Sequence, residues 1–130
     1  EGVKDMRSLL LESDVVISAT GSTIYEVSSL GVPMIVFYFA ENQRQGAEAL
    51  GALTDIVNAG CFAAERGAVA DRVRAALRRC IDDRSYRERL HSQEKGLIDG
   101  RGAHRIAGEL MELERDRNEG GPWLQEEKDN

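Results

Sequence analysis

Two short apolar runs, Val15-Val16-Ile17 and Met34-Ile35-Val36-Phe37-Tyr38-Phe39, flank a turn of small residues and constrain this chain more than any other feature. Neither run alternates apolar with polar residues, so a strand built from either is buried on both faces. Parallel sheets covered by crossover helices meet that condition; hairpins with one wet face do not. Between the runs lie Ser18-Ala19-Thr20-Gly21-Ser22-Thr23-Ile24-Tyr25-Glu26 and then Gly31-Val32-Pro33. The order strand, turn, short helix, glycine stop, strand is that of a βαβ unit.

The rest of the chain extends the alternation. Residues 4–12 place Met6, Leu9 and Leu10 at helical spacing, so a short amphipathic helix leads in. The strands are predicted over 15–18, 34–38 and 55–58, the last closed by Ala59-Gly60. Helices are predicted over 23–30, from the polar turn at 40–43 to residue 53, over 69–81 and over 85–97. The fourth of these five helices carries Val69, Val73, Ala76, Leu77 and Cys80 on one face; the fifth shows Tyr86, Leu90 and Leu97. Asp99-Gly100-Arg101-Gly102 opens a sixth helix with the stripe Ala103, Ile106, Ala107, Leu110, Leu113. The expected fold is therefore α/β: a partial Rossmann-like domain with a short parallel sheet of three strands and five to six helices, over residues 1–117. From residue 118 the composition predicts a disordered tail with Trp123 as its one large apolar group.

Composition removes several functions. A net charge of −6 over 130 residues argues against a general nucleic-acid binder. The arginine-dense stretch at 66–89 is interleaved with Glu65, Asp71, Asp82, Asp83 and Glu88, as on a solvated helical surface. Aromatics for stacking on bases are nearly absent there. Cys61 and Cys80 stand apart from each other and from His91 and His104, which excludes metal-ligand spacing and a disulfide framework. No cofactor, metal site or catalytic base is indicated, and no apolar stretch approaches a membrane span. A reduced, cytoplasmic setting is expected. The start at Glu1, almost directly into a helix, leads to the expectation that the chain is a piece of a longer protein.

Chemistry concentrates at the turns that follow the first two strands. In a parallel sheet both turns open on one edge, where ligands bind. The first turn offers the N–H groups of Gly21, Ser22 and Thr23, with the positive end of a helix dipole, to a phosphate or diphosphate. Glu26, three residues beyond Thr23, has two readings. It either accepts from the hydroxyls of a ribose or folds back on the Thr23 amide as a capping box. The second turn supplies Asn42 and Gln43, whose amides suit sugar hydroxyls or a plain helix cap. Gly100-Arg101-Gly102 reads either as a third phosphate loop or as a hinge between helices.

Taken as an ordered set, Asp5-Met6, Glu12-Ser13-Asp14, Gly21-Ser22-Thr23 with Glu26, Leu30-Gly31-Val32-Pro33, Glu41-Asn42-Gln43 and Asp99-Gly100-Arg101-Gly102-Ala103 with Arg105 resemble one group of proteins. These are the nucleotide-sugar hydrolases of pseudaminic acid biosynthesis and the related spore-coat polysaccharide proteins. That group shares the GT-B fold with the N-acetylglucosaminyltransferase that completes lipid II. The resemblance implies the later half of a C-terminal nucleotide-binding domain. It places UDP diphosphate on Gly21, Ser22 and Thr23, ribose on Glu26 and sugar near Asn42 and Gln43. Thr20 stands where the family often has a second glycine, and its branched side chain is expected to crowd the diphosphate. The family's catalytic histidine belongs to an N-terminal domain that this chain lacks, so the chain alone is expected to bind UDP or a UDP-sugar without turning it over. The first strand is then left as an exposed sheet edge, through which self-association is expected. The rival reading is a non-catalytic α/β interaction or regulatory module that docks through its C-terminal helices. A receiver-type signalling domain fits less well, because Asp14 precedes its strand and Lys4, Lys95 and Lys128 all lie away from strand ends.

Overall fold

The computed structural model describes residues 4–118. Among them the order is α1 (Met6–Leu11), β1 (Val16–Ala19), α2 (Thr23–Leu30), β2 (Met34–Tyr38), α3 (Glu41–Leu53), β3 (Val57–Cys61), α4 (Arg66–Asp82), α5 (Arg84–Glu94) and α6 (Gly102–Asn118). The strands form one sheet in the order β1-β2-β3, and both pairings are parallel. Val16 lies opposite Met34 and Ile35 opposite Val57. This is an α/β, Rossmann-like arrangement. The chain divides into two compact units, Glu1–Ile98 and Asp99–Asn130, with the sheet in the first and α6 in the second. The tail expected from residue 118, with Trp123, lies outside the described residues apart from its first position.

Local chemistry sets the element ends. Asp5 caps α1 by accepting from the Ser8 N–H at 3.0 Å, and Asp83 caps α5 by accepting from the Tyr86 N–H at 2.9 Å. Gly31 ends α2 in the left-handed region at φ 68°, and the Val32 N–H returns to the Val27 carbonyl. Several boundaries differ from the sequence expectation. The third strand runs over Val57–Cys61 and not 55–58, because Thr54 holds the preceding turn. Its hydroxyl donates to the Leu50 carbonyl at 2.7 Å and accepts from the Ile56 N–H at 3.2 Å. Ala59-Gly60 does not close that strand: Gly60 takes φ 99°, its N–H donates to Asn58 Oδ1, and pairing resumes after a bulge at Tyr38 with Cys61. Helix α5 ends at Glu94, so Leu97 packs on the core from beyond it. In α1 only Leu10 is buried, while Met6 and Leu9 are exposed.

Both crossovers, β1-α2-β2 and β2-α3-β3, run the same way across the sheet, so the right-handed rule puts α2 and α3 on one face. Met34 and Val36 meet Ile24 and Val27 of α2 and Ala47 and Leu50 of α3 in one buried cluster, which Cys80, Tyr86 and Leu90 extend. Ile35 alternates to the other face, where α4 packs on β3 and buries Val69 and Ala76. Each fully buried aliphatic side chain of this kind contributes roughly 1.5–3 kcal/mol. The ion pairs, all between exposed side chains, add little by comparison.

Candidate functional site

The first turn is built on Thr20. Its N–H extends the β1–β2 ladder to the Phe37 carbonyl at 2.9 Å, and its side chain is buried. The hydroxyl lies 3.3 Å from the Phe37 carbonyl and 3.2 Å from the Gln43 carbonyl, so it ties the first turn to the second. Thr20 also lines the cleft between the starts of α2 and α3, with its hydroxyl turned to these two carbonyls and its side chain 4% exposed.

Gly21 faces open space. A Cβ built on it meets no atom within 4 Å, and its φ is not positive, so the fold itself does not demand glycine here. Ser22 occupies the N-cap with helical angles, φ −61° and ψ −29°, and its side chain makes no capping bond. The Ile24 N–H donates to the Gly21 carbonyl at 3.4 Å and the Tyr25 N–H to the Ser22 carbonyl at 3.1 Å. Among the described residues the N–H groups of Gly21, Ser22 and Thr23 find no acceptor. The capping-box alternative is thus not what the fold adopts, because Glu26 does not return to the Thr23 amide.

The second turn differs from the expectation of a polar loop. Asn42 and Gln43 lie in the first turn of α3, after Ala40 as an N-cap in extended conformation. Gln43 Oε1 accepts from the Phe39 N–H at 3.0 Å, closing the end of β2 and leaving its amide protons for a partner. Asn42 is exposed. A cleft of about 400 Å³ separates the starts of α2 and α3 and brings Gly21 together with Tyr25, Asn42, Gln43 and Gln45. Tyr25 and Gln45 were not among the residues singled out from sequence. The signal was helical spacing, since Gln45 follows Asn42 by about one turn and Tyr25 lies about 100° around α2 from Glu26.

Glu26 does not line that cleft. It opens on a separate hollow of about 200 Å³ with Arg7, Leu10 and Ser29, between α1 and α2. Helix α2 thus borders two recesses, one at its start with an aromatic ring and amides, the other along its later turns with a carboxylate and an arginine. Beside the cleft, the rings of Phe37, Phe39 and Phe62 pack mutually with centroids 5.4–5.8 Å apart.

In the second unit, Asp99, Gly100, Arg101, His104 and Arg105 line a hollow ahead of and along the first turn of α6. The Asp99 carboxylate accepts from the Arg101 N–H at 2.9 Å and from Arg105 at 2.7 Å, and the arginine holds it below the usual carboxylate range. His91 is used structurally, with Nδ1 2.7 Å from the Gly31 carbonyl. Cys61 and Cys80 are free thiols, and burial pushes the Cys80 thiol up. No group of ligands suited to a metal occurs among the described residues, and none of their helices is long and apolar enough to cross a membrane. The fold defines the class: a Rossmann-like α/β unit with a three-stranded parallel sheet and an open start to α2. No family model, no curated protein and no solved structure matches this chain.

Proposed function

We propose that this chain is the anchoring half of a UDP-sugar site from a nucleotide-sugar hydrolase or glycosyltransferase of surface-polysaccharide or nonulosonic acid biosynthesis. The observation that carries the reading is the row of three unpaired amides at Gly21, Ser22 and Thr23, over open space at the ligand edge of a parallel sheet. The two recesses match the order of groups in such a ligand. The diphosphate takes the amides, the sugar takes the cleft of Tyr25, Asn42 and Gln43, and the ribose takes the side of Glu26. A carboxylate accepts from both hydroxyls of a cis-diol at once. The amides neutralise the departing diphosphate, and the base that activates water or an acceptor comes from an N-terminal domain.

Titrating the full chain with UDP, followed by NMR, tests this. Saturable shifts are expected in the amides of residues 20–25 and 42–46. Gly21→Val, which fills the space above the amides, is expected to weaken binding about tenfold or more, or ~1.4 kcal/mol, and Glu26→Ala to weaken it less. No shift at millimolar UDP, or unchanged binding by Gly21→Val, ends the proposal.

A second reading has its own observation. Ile106, Leu110, Met111 and Leu113 of α6 are all more than half exposed, an apolar stripe suited to a helical docking partner. A chain that ignores UDP but loses a partner on Ile106→Glu and Leu110→Glu follows this second reading.

A further inference from the structure

Glu94, the last residue of α5, has the least favourable surroundings of any charged-type side chain among the described residues. It is 0% exposed, and neither carboxyl oxygen has a hydrogen-bond partner. The groups near it do little for a charge. From β2 the Met34 N–H points toward it without reaching hydrogen-bonding geometry. From α4 the titratable neighbour is Cys80, itself buried, whose thiol senses the carboxylate. On its own helix, His91 and Lys95 are exposed, and His91 is engaged with the Gly31 carbonyl. From α2, which packs on α5, the titratable groups are Tyr25 and Glu26, both exposed near the far end of that helix. No lysine, arginine or histidine among the described residues favours its ionisation.

A carboxylate in such a place is unfavourable, because nothing replaces the water it has lost. Burial accordingly pushes the Glu94 carboxyl up from 4.5 to about 8. The earlier turns of α5 are anchored by Tyr86 and Leu90, both buried in the core, and the helix is further tied to Asp55. Tyr86 Oη donates to the Asp55 carbonyl at 2.8 Å, Arg89 to the Asp55 carboxylate at 2.6 Å, and the Asp55 N–H to Gln93 Oε1 at 2.8 Å. Water can replace the exposed contacts of Arg89 and Gln93, but it cannot reach Glu94 unless the last turn of α5 lifts.

We infer that Glu94 is a proton-operated latch: neutral, it lets the last turn of α5 close over β2; ionised, it releases that turn from the core. The latch sits at the start of β2, across the sheet from the Gly21 turn, and is independent of the ligand proposed there. Its sign follows from an acid that binds its proton more tightly closed than open. The stabilisation is complete below 4.5, declines with rising pH and is gone above about 8. Between about pH 6 and about pH 9 the opening equilibrium of this turn rises on the order of a hundredfold.

Hydrogen exchange of the full chain, corrected for the intrinsic pH dependence of exchange, reads this directly. The amides of residues 91–95 are expected to lose protection relative to β2 as pH rises, and Glu94→Gln is expected to flatten the profile. A carbon-13 titration of the wild-type Glu94 carboxyl gives a readout that needs no variant, should Glu94→Gln fail to fold. An inflection above about 6.5 supports the latch; one below overturns it. Equal loss of protection in α5 and β2 also overturns it, since the acid would then tax the whole fold and not this turn.

Discussion

Thr20 sits where the turns that follow β1 and β2 meet, and its hydroxyl ties the two together. A serine-rich, small-residue turn reads from sequence as open to a ligand, and a β-branched residue within it reads as an obstacle. Its hydroxyl turns to the Phe37 and Gln43 carbonyls. Which way a threonine points depends on acceptors that a later segment brings, so no local pattern contains it. Gly31 is the opposite case. Its place after Leu30 and two residues before Pro33 announces a left-handed stop, and φ is 68°. Space there is also short, with a Cβ falling 3.0 Å from His91 Nδ1 and 3.1 Å from Lys95 Cβ. Gly31→Ala is expected to cost about 1–2 kcal/mol for the backbone alone, more once His91 is displaced. Urea unfolding of the two proteins checks it, and an unchanged midpoint refutes it.

Strand β1 shows what an element inherits from its neighbours. Val16 donates its N–H to the Pro33 carbonyl, so the main-chain groups of Val16 and Ser18 face β2 while those of Ile17 and Ala19 face outward, unpaired in the sheet. The Ile17 side chain is 46% exposed beside them. An apolar run of this kind predicts burial on both faces, yet the sheet order leaves β1 at an edge. Such an edge pairs with another strand unless charge or proline blocks it. The wild-type chain is expected to self-associate at ~100 µM in light scattering, and Ile17→Lys to run as a monomer. A monomeric wild-type chain at that concentration removes the edge from consideration. Helix α3 teaches a related point: its extended N-cap, Ala40, has no side-chain capping bond, so the helix starts earlier than a polar turn suggests and carries Asn42 and Gln43 with it.

At the scale of the molecule, every core side chain among the described residues comes from the first unit, between Leu10 and Leu97. A chain ending at Ile98 is expected to keep its cooperative unfolding, with a urea midpoint close to that of the full chain. Loss of cooperativity in circular dichroism on that truncation contradicts it. The fold class, the parallel sheet and the limits of α2 and β2 were all legible in sequence. Each follows from short-range rules: apolar runs without alternation, a glycine stop, and small residues between a strand and a helix. Sequence also supplied Gly21, Asn42 and Gln43, which the fold gathers at one cleft. Only the tertiary structure decided that Glu26 faces another recess, that Tyr25 and Gln45 join the cleft, and that Glu94 is sealed inside. The physical reason is common to all three. A helix pattern places residues around an axis, but which flank meets a cleft, a neighbour or the core depends on segments distant in sequence that pack against it.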